Sequence, residues 1–355
     1  MEHGGKIYQY ATATKLAVGE ILDCSANINP LGPPQGVQEA IVKAFDAIRY
    51  YPDSDHEDVR RAIANRFAIE KDAILCGNGA TEIIEVLIKG LRPGRVIVLE
   101  PAFSEYAATA NRLFCPVVSC SLFDGDTFAL PIVQLDSMLH SGDLLFINHP
   151  HNPSGTSWSL PSWITAVISW AKRGVSIAID ESFADFLPQD DPRTLMQHAA
   201  TTPNLFVIRS ATKIFSIPGL RFGFLVTTRE KIAALRAYRD PWSVNQLAQI
   251  AAFISYQDQH FMMETATWLE NAHRYMQDAW ATDERWRIFP TAVNFFLLRF
   301  ASPNVSRHVQ AKLMEQRIFV RSCGNFEELT DAYVRIALLS PKDNERVFRA
   351  VCNAI

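Results

Sequence analysis

The chain has 355 residues, 48% of them hydrophobic and 20% charged, with 34 Lys+Arg against 38 Asp+Glu for a net charge of −4. At ~150 residues per domain this length holds about two domains, and the composition excludes a disordered chain. The slightly acidic balance lacks the electrostatic footprint of a nucleic-acid binder, and no apolar run approaches the ~18 residues of a membrane helix. The opening MEHGGKIYQY carries no secretory pattern, and the six cysteines are scattered without a CxxC pair. Both features predict a cytoplasmic protein with reduced, mostly buried thiols, and neither a disulfide framework nor a zinc site.

Residues 37–49 place Val37, Ile41, Ala44, Phe45 and Ile48 on one helical face. Then apolar runs alternate with helical periodicity: DAILC (72–76) before TEIIEVLIKGL (81–91), RVIVL (95–99) before SEYAATANRLF (104–114), and DLLFIN (143–148) before PSWITAVISWAKR (161–173). VSIAI (175–179), NLFVI (204–208) and FGFLV (222–226) follow. Short continuous apolar strands between helices predict an α/β unit with a mostly parallel sheet covered on both faces. After long helical stretches at 244–256 and 260–280, FFLLRF (295–300), a helix at 305–316, IFVR (318–321), YVRIAL (333–338) and a helix at 342–353 predict a smaller α+β unit. The expected division is an N-terminal segment at 1–50 packing on the small domain, a large α/β domain at 51–240, and a helical connection with the small domain at 241–355.

Four strand-end segments carry candidate chemistry. Gly77-Asn78-Gly79-Ala80-Thr81-Glu82 lies between a strand and a helix, as either a plain tight turn or a phosphate cradle. Glu82 stands where a dinucleotide fingerprint needs its third glycine, which argues against a nicotinamide enzyme although Glu100 lies near the distance of a ribose-binding acid. Asn148-His149-Pro150-His151-Asn152-Pro153-Ser154-Gly155-Thr156 follows a strand, and its two histidines lack a convincing third metal ligand. Asp180 ends VSIAI, where a carboxylate serves either as a cap or at a ligand site. Ser210-Ala211-Thr212-Lys213 has the SxxK spacing, but SDN and KTG are absent. Phe215, Ile217, Pro218 and Leu220 give Lys213 apolar company, in which a lysine loses its proton easily and can form a Schiff base.

Together HNPSGT, AIDES and SATKIFSIPGLRFGF resemble fold-type I pyridoxal-phosphate enzymes over nearly the whole chain, in the subgroup of histidinol-phosphate aminotransferases and threonine-phosphate decarboxylases. The openings HGG (3–5) and CSANINPLGPP (24–34) resemble the decarboxylases more. The resemblance implies the corresponding large and small domains, a homodimer with shared active sites, and pyridoxal 5'-phosphate held covalently by Lys213. It implies Asp180 on the pyridinium nitrogen, Asn152 on the phenolic oxygen, and Phe103 against the ring face. Ala80, Thr81, Ser210 and Arg221 would hold the cofactor phosphate, with Tyr51 reaching it from the partner subunit. His3, Gly4, Asn27, Asn152, Arg321 and Arg335 would surround a phosphorylated amino acid. The implied reaction is decarboxylation of L-threonine O-3-phosphate in cobalamin biosynthesis, with transamination of histidinol phosphate as the alternative. Two positions depart from the pattern: Phe183 stands where the aminotransferases carry Tyr, and Lys6 where the decarboxylases usually carry Asn after HGG.

Overall fold

The structure, a computed structural model, describes residues 4–158, 161–188 and 194–355. Its centre is a seven-stranded sheet of Ile74–Gly77 (β1), Arg95–Glu100 (β2), Val117–Ser121 (β3), Asp143–Asn148 (β4), Ser176–Asp180 (β5), Leu205–Ser210 (β6) and Gly223–Val226 (β7). The spatial order is β1-β7-β6-β5-β4-β2-β3, with β7 antiparallel to both neighbours and the other pairings parallel. Every residue of β4 and β6 is buried. In β4, Leu144 and Phe146 join one apolar cluster, with the helix Ala80–Leu91, while Leu145 and Ile147 join another on the opposite face. A sheet with two buried faces requires continuous apolar strands, which is the pattern read from the sequence.

The strand Val117–Ser121 escaped the sequence reading because it is a half-exposed edge strand without a continuous apolar run. The helix expected over 37–49 is also corrected. A helix spans Gln35–Lys43 and a tight turn of 3₁₀ helix spans Phe45–Arg49, leaving Phe45 and Ile48 58% and 54% exposed. Their apolar spacing does not point them into the core of this chain.

A second, antiparallel sheet has the order Arg321–Ser322, Tyr333–Ala337, Phe295–Phe300, Trp286–Ile288. The expected single strand IFVR is divided: Ile318–Phe319 pairs in parallel with Leu22–Asp23, whereas Arg321–Ser322 pairs with Tyr333–Ala337. The N-terminal segment is thereby stitched to this region, and Ala337 N–H donates to Cys24 O at 2.9 Å. The helix Gln35–Lys43 packs on Gln246–Gln257, whose first turn is capped by Asn245 accepting from Ala248 N at 2.8 Å. Among the described residues no helix is long and apolar enough to cross a membrane, and no disulfide links the cysteines.

Candidate active site

The sheet topology gathers polar strand ends. β1, β2, β4, β5 and β6 finish on one edge at Gly77, Glu100, Asn148, Asp180 and Ser210, and β7 starts there at Gly223. In register, Asn148 lies opposite Asp180, and Gly223 lies opposite both Ser210 and Gly77. This is the edge at which ligands bind in such sheets.

Asp180 is 3% exposed and held by two donors: Ser182 N–H to Oδ1 at 2.9 Å and Tyr106 O–H to Oδ2 at 2.6 Å. Asn148 joins two site loops, donating from Nδ2 to Asp180 O at 2.9 Å while its Oδ1 accepts from Asn152 N–H at 2.8 Å. Phe103 meets Tyr106 edge-on, with ring centroids 5.7 Å apart. The loop that carries Phe103 is tied down by His151, whose Nε2 bonds Pro101 O at 2.8 Å and whose Nδ1 bonds Ser154 Oγ at 2.7 Å. Burial pushes the His151 imidazole down to about 4, so it serves this bridge in neutral form. Its partner in the motif, His149, accepts from Trp158 N–H at 3.0 Å. Both histidines are structural here, and among the described residues no three His, Cys, Asp or Glu side chains are placed to hold a metal.

Lys213 sits in the short helix Ala211–Ile214, directly after β6. Its Nζ lies 3.5 Å from Ser210 Oγ and 5.6 Å from the centre of the Phe183 ring. Burial pushes its ammonium down to about 8; Arg221 and Arg335 act in the same direction and Asp180 opposes them. The neutral fraction at pH 7 is thereby raised to roughly a tenth, and the neutral amine is the nucleophilic form.

The Gly77–Glu82 turn closes the next side. Gly79 has φ +82°, and a Cβ on it would come within 2.6 Å of Arg221 Nη2, so the bare backbone here is a geometric need. Glu82, absent from any dinucleotide pattern, accepts from Asn78 N–H at 2.6 Å and from Ser243 O–H at 2.8 Å, fixing the turn. Ala80 and Thr81 open the helix Ala80–Leu91, with N–H groups unspent at its start.

Opposite, Arg321 and Arg335 come from the second sheet at directly paired positions. Arg335 bonds Asn152 Oδ1 and donates to Ser25 O at 2.7 Å, while its buried Nε has no partner. Burial pushes its guanidinium down to about 10 and also lowers that of Arg321. Asn27 is 1% exposed with φ +54°, and both of its side-chain amide atoms lack a partner. Gly4 packs so closely that a Cβ would meet Ser25 O at 2.2 Å and Arg335 Nη2 at 3.1 Å.

The structure thus brings together Lys213, Asp180, Ser210, Arg221, Asn152 and Arg335, with Gly4 and Arg321 packed beside Arg335. Tyr51 lies apart: it is 80% exposed, its ring 4.7 Å from that of Trp242. His3 lies outside the described residues, and Lys6 is half-buried ahead of the helix Ile7–Thr14. The sequence reading missed Tyr106 and the bridging part of Asn148. Tyr106 lies in the first turn of the helix Glu105–Arg112, three positions after Phe103, whereas Asn148 is a polar residue ending an apolar strand.

Residues 14–351 match the aminotransferase class I and II family, and the chain belongs to it. Threonine-phosphate decarboxylase of Salmonella typhimurium is 33% identical over 354 residues, which cover 99% of this chain and 96% of that relative. Among solved structures, histidinol-phosphate aminotransferase from Clostridium acetobutylicum superposes with a TM-score of 0.86 at 29% identity, covering 94% of this chain and 98% of that one. L-threonine-O-3-phosphate decarboxylase from Porphyromonas gingivalis shares the fold, with a TM-score of 0.81 at 24% identity and coverage of 94% and 99%. The protein is accordingly an enzyme with the fold-type I architecture, and its cofactor is pyridoxal 5'-phosphate.

The residues present fit that group. A lysine with a depressed pKa, a strand-end carboxylate, and a glycine turn pressed against an arginine supply an imine-forming amine, a partner for a protonated ring nitrogen, and an anion cradle.

Proposed function

We propose that this enzyme decarboxylates L-threonine O-3-phosphate to (R)-1-amino-2-propanol O-2-phosphate, supplying the aminopropanol unit of cobalamin biosynthesis. The observation that carries the reading is the buried anion end of the site. Arg321 and Arg335 lie side by side, and beside them the buried Asn27 keeps an unpartnered amide Nδ2. That donor set suits a phosphate dianion.

The roles assigned to the residues follow from chemistry. Lys213 would be the attachment point, its neutral amine the group that would hold the cofactor covalently. Ala80 and Thr81 N–H groups, Ser210 Oγ and Arg221 would bind the cofactor phosphate, and Tyr51 would complete this set from the partner subunit of a homodimer. Asp180 would hold the proton on the ring nitrogen, Asn152 would donate to the phenolic oxygen, and Phe103 would cover one ring face. When bound, the cofactor supplies an electron sink for the bond at Cα that lies perpendicular to the ring. With Arg321 and Arg335 engaged by the substrate phosphate, neither of these arginines would pin the carboxylate, which could then turn into that perpendicular position. Loss of carbon dioxide leaves Cα short of one proton, and Lys213 Nζ is the group that delivers it.

The alternative is transamination of histidinol phosphate, favoured by the likeness to the Clostridium acetobutylicum aminotransferase. The enzyme is incubated with each substrate separately, following carbon dioxide release and 2-oxoglutarate consumption. Carbon dioxide from threonine phosphate without a keto acid is the expected result. Keto-acid-dependent turnover of histidinol phosphate, with no carbon dioxide from threonine phosphate, would reverse the assignment.

A further inference from the structure

The hydroxyl of Tyr106 is committed to a single carboxylate. The ring is 1% exposed, lies flat on Phe146 at 4.7 Å and 6°, and meets Phe103 edge-on. A phenylalanine would satisfy all of that packing. A buried hydroxyl costs free energy unless it is hydrogen-bonded, and this one donates to Asp180 Oδ2 at 2.6 Å. The other carboxylate oxygen takes Ser182 N–H at 2.9 Å. Each oxygen is therefore held by one donor, and the plane of the carboxylate is fixed before any ligand arrives.

We infer that Tyr106 is a positioning residue that sets both the orientation and the basicity of Asp180, and through it how firmly the cofactor ring nitrogen keeps its proton. The inference rests on the reading of Asp180 as the partner of that nitrogen. A donor to a carboxylate stabilises its charged form and lowers its proton affinity. Without the Tyr106 hydroxyl, Asp180 becomes more basic and draws the shared proton from the ring. The ring then accepts electrons less well, and the step at Cα slows while substrate contacts remain. Burial, followed by the charge of Asp180, raises the Tyr106 phenol well above its ordinary value, so it remains a donor throughout the working range.

The test uses holoenzyme reconstituted with pyridoxal 5'-phosphate labelled with ¹⁵N in the ring. In Tyr106→Phe the ring-nitrogen signal should move toward that of a neutral pyridine. In the same variant kcat should fall about tenfold and KM change less than about twofold. Replacing Tyr106 by 3-fluorotyrosine, a stronger donor of the same shape, should move the signal the opposite way; it also decides the question if Tyr106→Phe does not fold. Asp180→Asn is the reference. If Asp180→Asn shifts the signal and neither change at Tyr106 does, the inference is overturned and the reading of Asp180 stands. If Asp180→Asn leaves the signal in place, the reading of Asp180 is itself wrong, and the inference falls with it.

Discussion

Arg321 and Arg335 occupy directly paired positions on neighbouring antiparallel strands, and both are buried, at 4% and 6% exposure. Burial lowers the pKa of both guanidinium groups, and the charge of Arg321 is a smaller further cause at Arg335. The pair therefore carries a cost that an anion would relieve. Arg335→Gln should raise KM for the phosphorylated substrate on the order of 10- to 100-fold, the range of one lost charge-assisted contact, while thermal stability without substrate stays level or rises. Steady-state kinetics and a melting curve check both halves. A KM change of less than about twofold would remove Arg335 from the phosphate site.

Lys213 gives a pH dependence with a definite sign. Its folded pKa, about 8, lies below the ordinary value of 10.5, so folding favours the neutral amine. Between those values the unfolded chain binds more protons, and stability rises with pH. In cofactor-free protein, Lys213→Met should be more stable than the wild type below pH 8, and the gap should close as pH rises toward 10.5. Urea unfolding across that range measures it. The same variant should lack the absorption band of the lysine-bound cofactor after incubation with pyridoxal 5'-phosphate.

The phosphate turn is tested at Gly79. Alanine there meets two obstacles, a φ of +82° and the Arg221 guanidinium 2.6 Å from the new Cβ. With ψ at 169° the backbone lies in a region essentially reserved for glycine, where a side chain costs on the order of 1–3 kcal/mol, and displacing Arg221 takes away one of the groups assigned to the cofactor phosphate. Gly79→Ala should weaken cofactor retention at least about tenfold, given that a charge-assisted contact is worth ~1.5–3 kcal/mol. Dialysis followed by the absorption spectrum reads the loss. Gly94→Ala, where a Cβ would meet nothing within 4 Å, is the control.

Much of this site was legible because its parts are local. Strand-end Asp180, Asn152 and the Ser210–Lys213 step each follow an apolar run whose period gives away the strand, and parallel topology brings such ends together. The Tyr106–Asp180 bond spans 74 positions and joins an ordinary helix residue to a strand end. Nothing in the spacing of either segment encodes it. The break at Val320, which sends Phe319 and Arg321 into different sheets, is likewise invisible in the apolar run IFVR. Phe45 and Ile48 look like core residues in the sequence, and only the folded chain shows them facing outward.

Phe183 is the residue at which the chain departs from the aminotransferase pattern, and its setting says what the departure does. The ring is 5% exposed, stands edge-on to Phe295 at 4.9 Å, and lies 5.6 Å from Lys213 Nζ. The wall beside the lysine is thus apolar, and a tyrosine would add a donor there. A donor to the cofactor's phenolic oxygen stabilises the anionic form, which lowers the pH at which the lysine-bound cofactor loses its proton. Phe183→Tyr should therefore move the spectral titration of that band to lower pH by about one unit, the effect of one hydrogen bond worth ~1.4 kcal/mol. Phosphate contacts lie elsewhere, so KM for threonine phosphate should change less than about threefold. A titration that stays in place would mean that residue 183 does not reach the phenolic oxygen, and that its identity bears only on packing against Phe295.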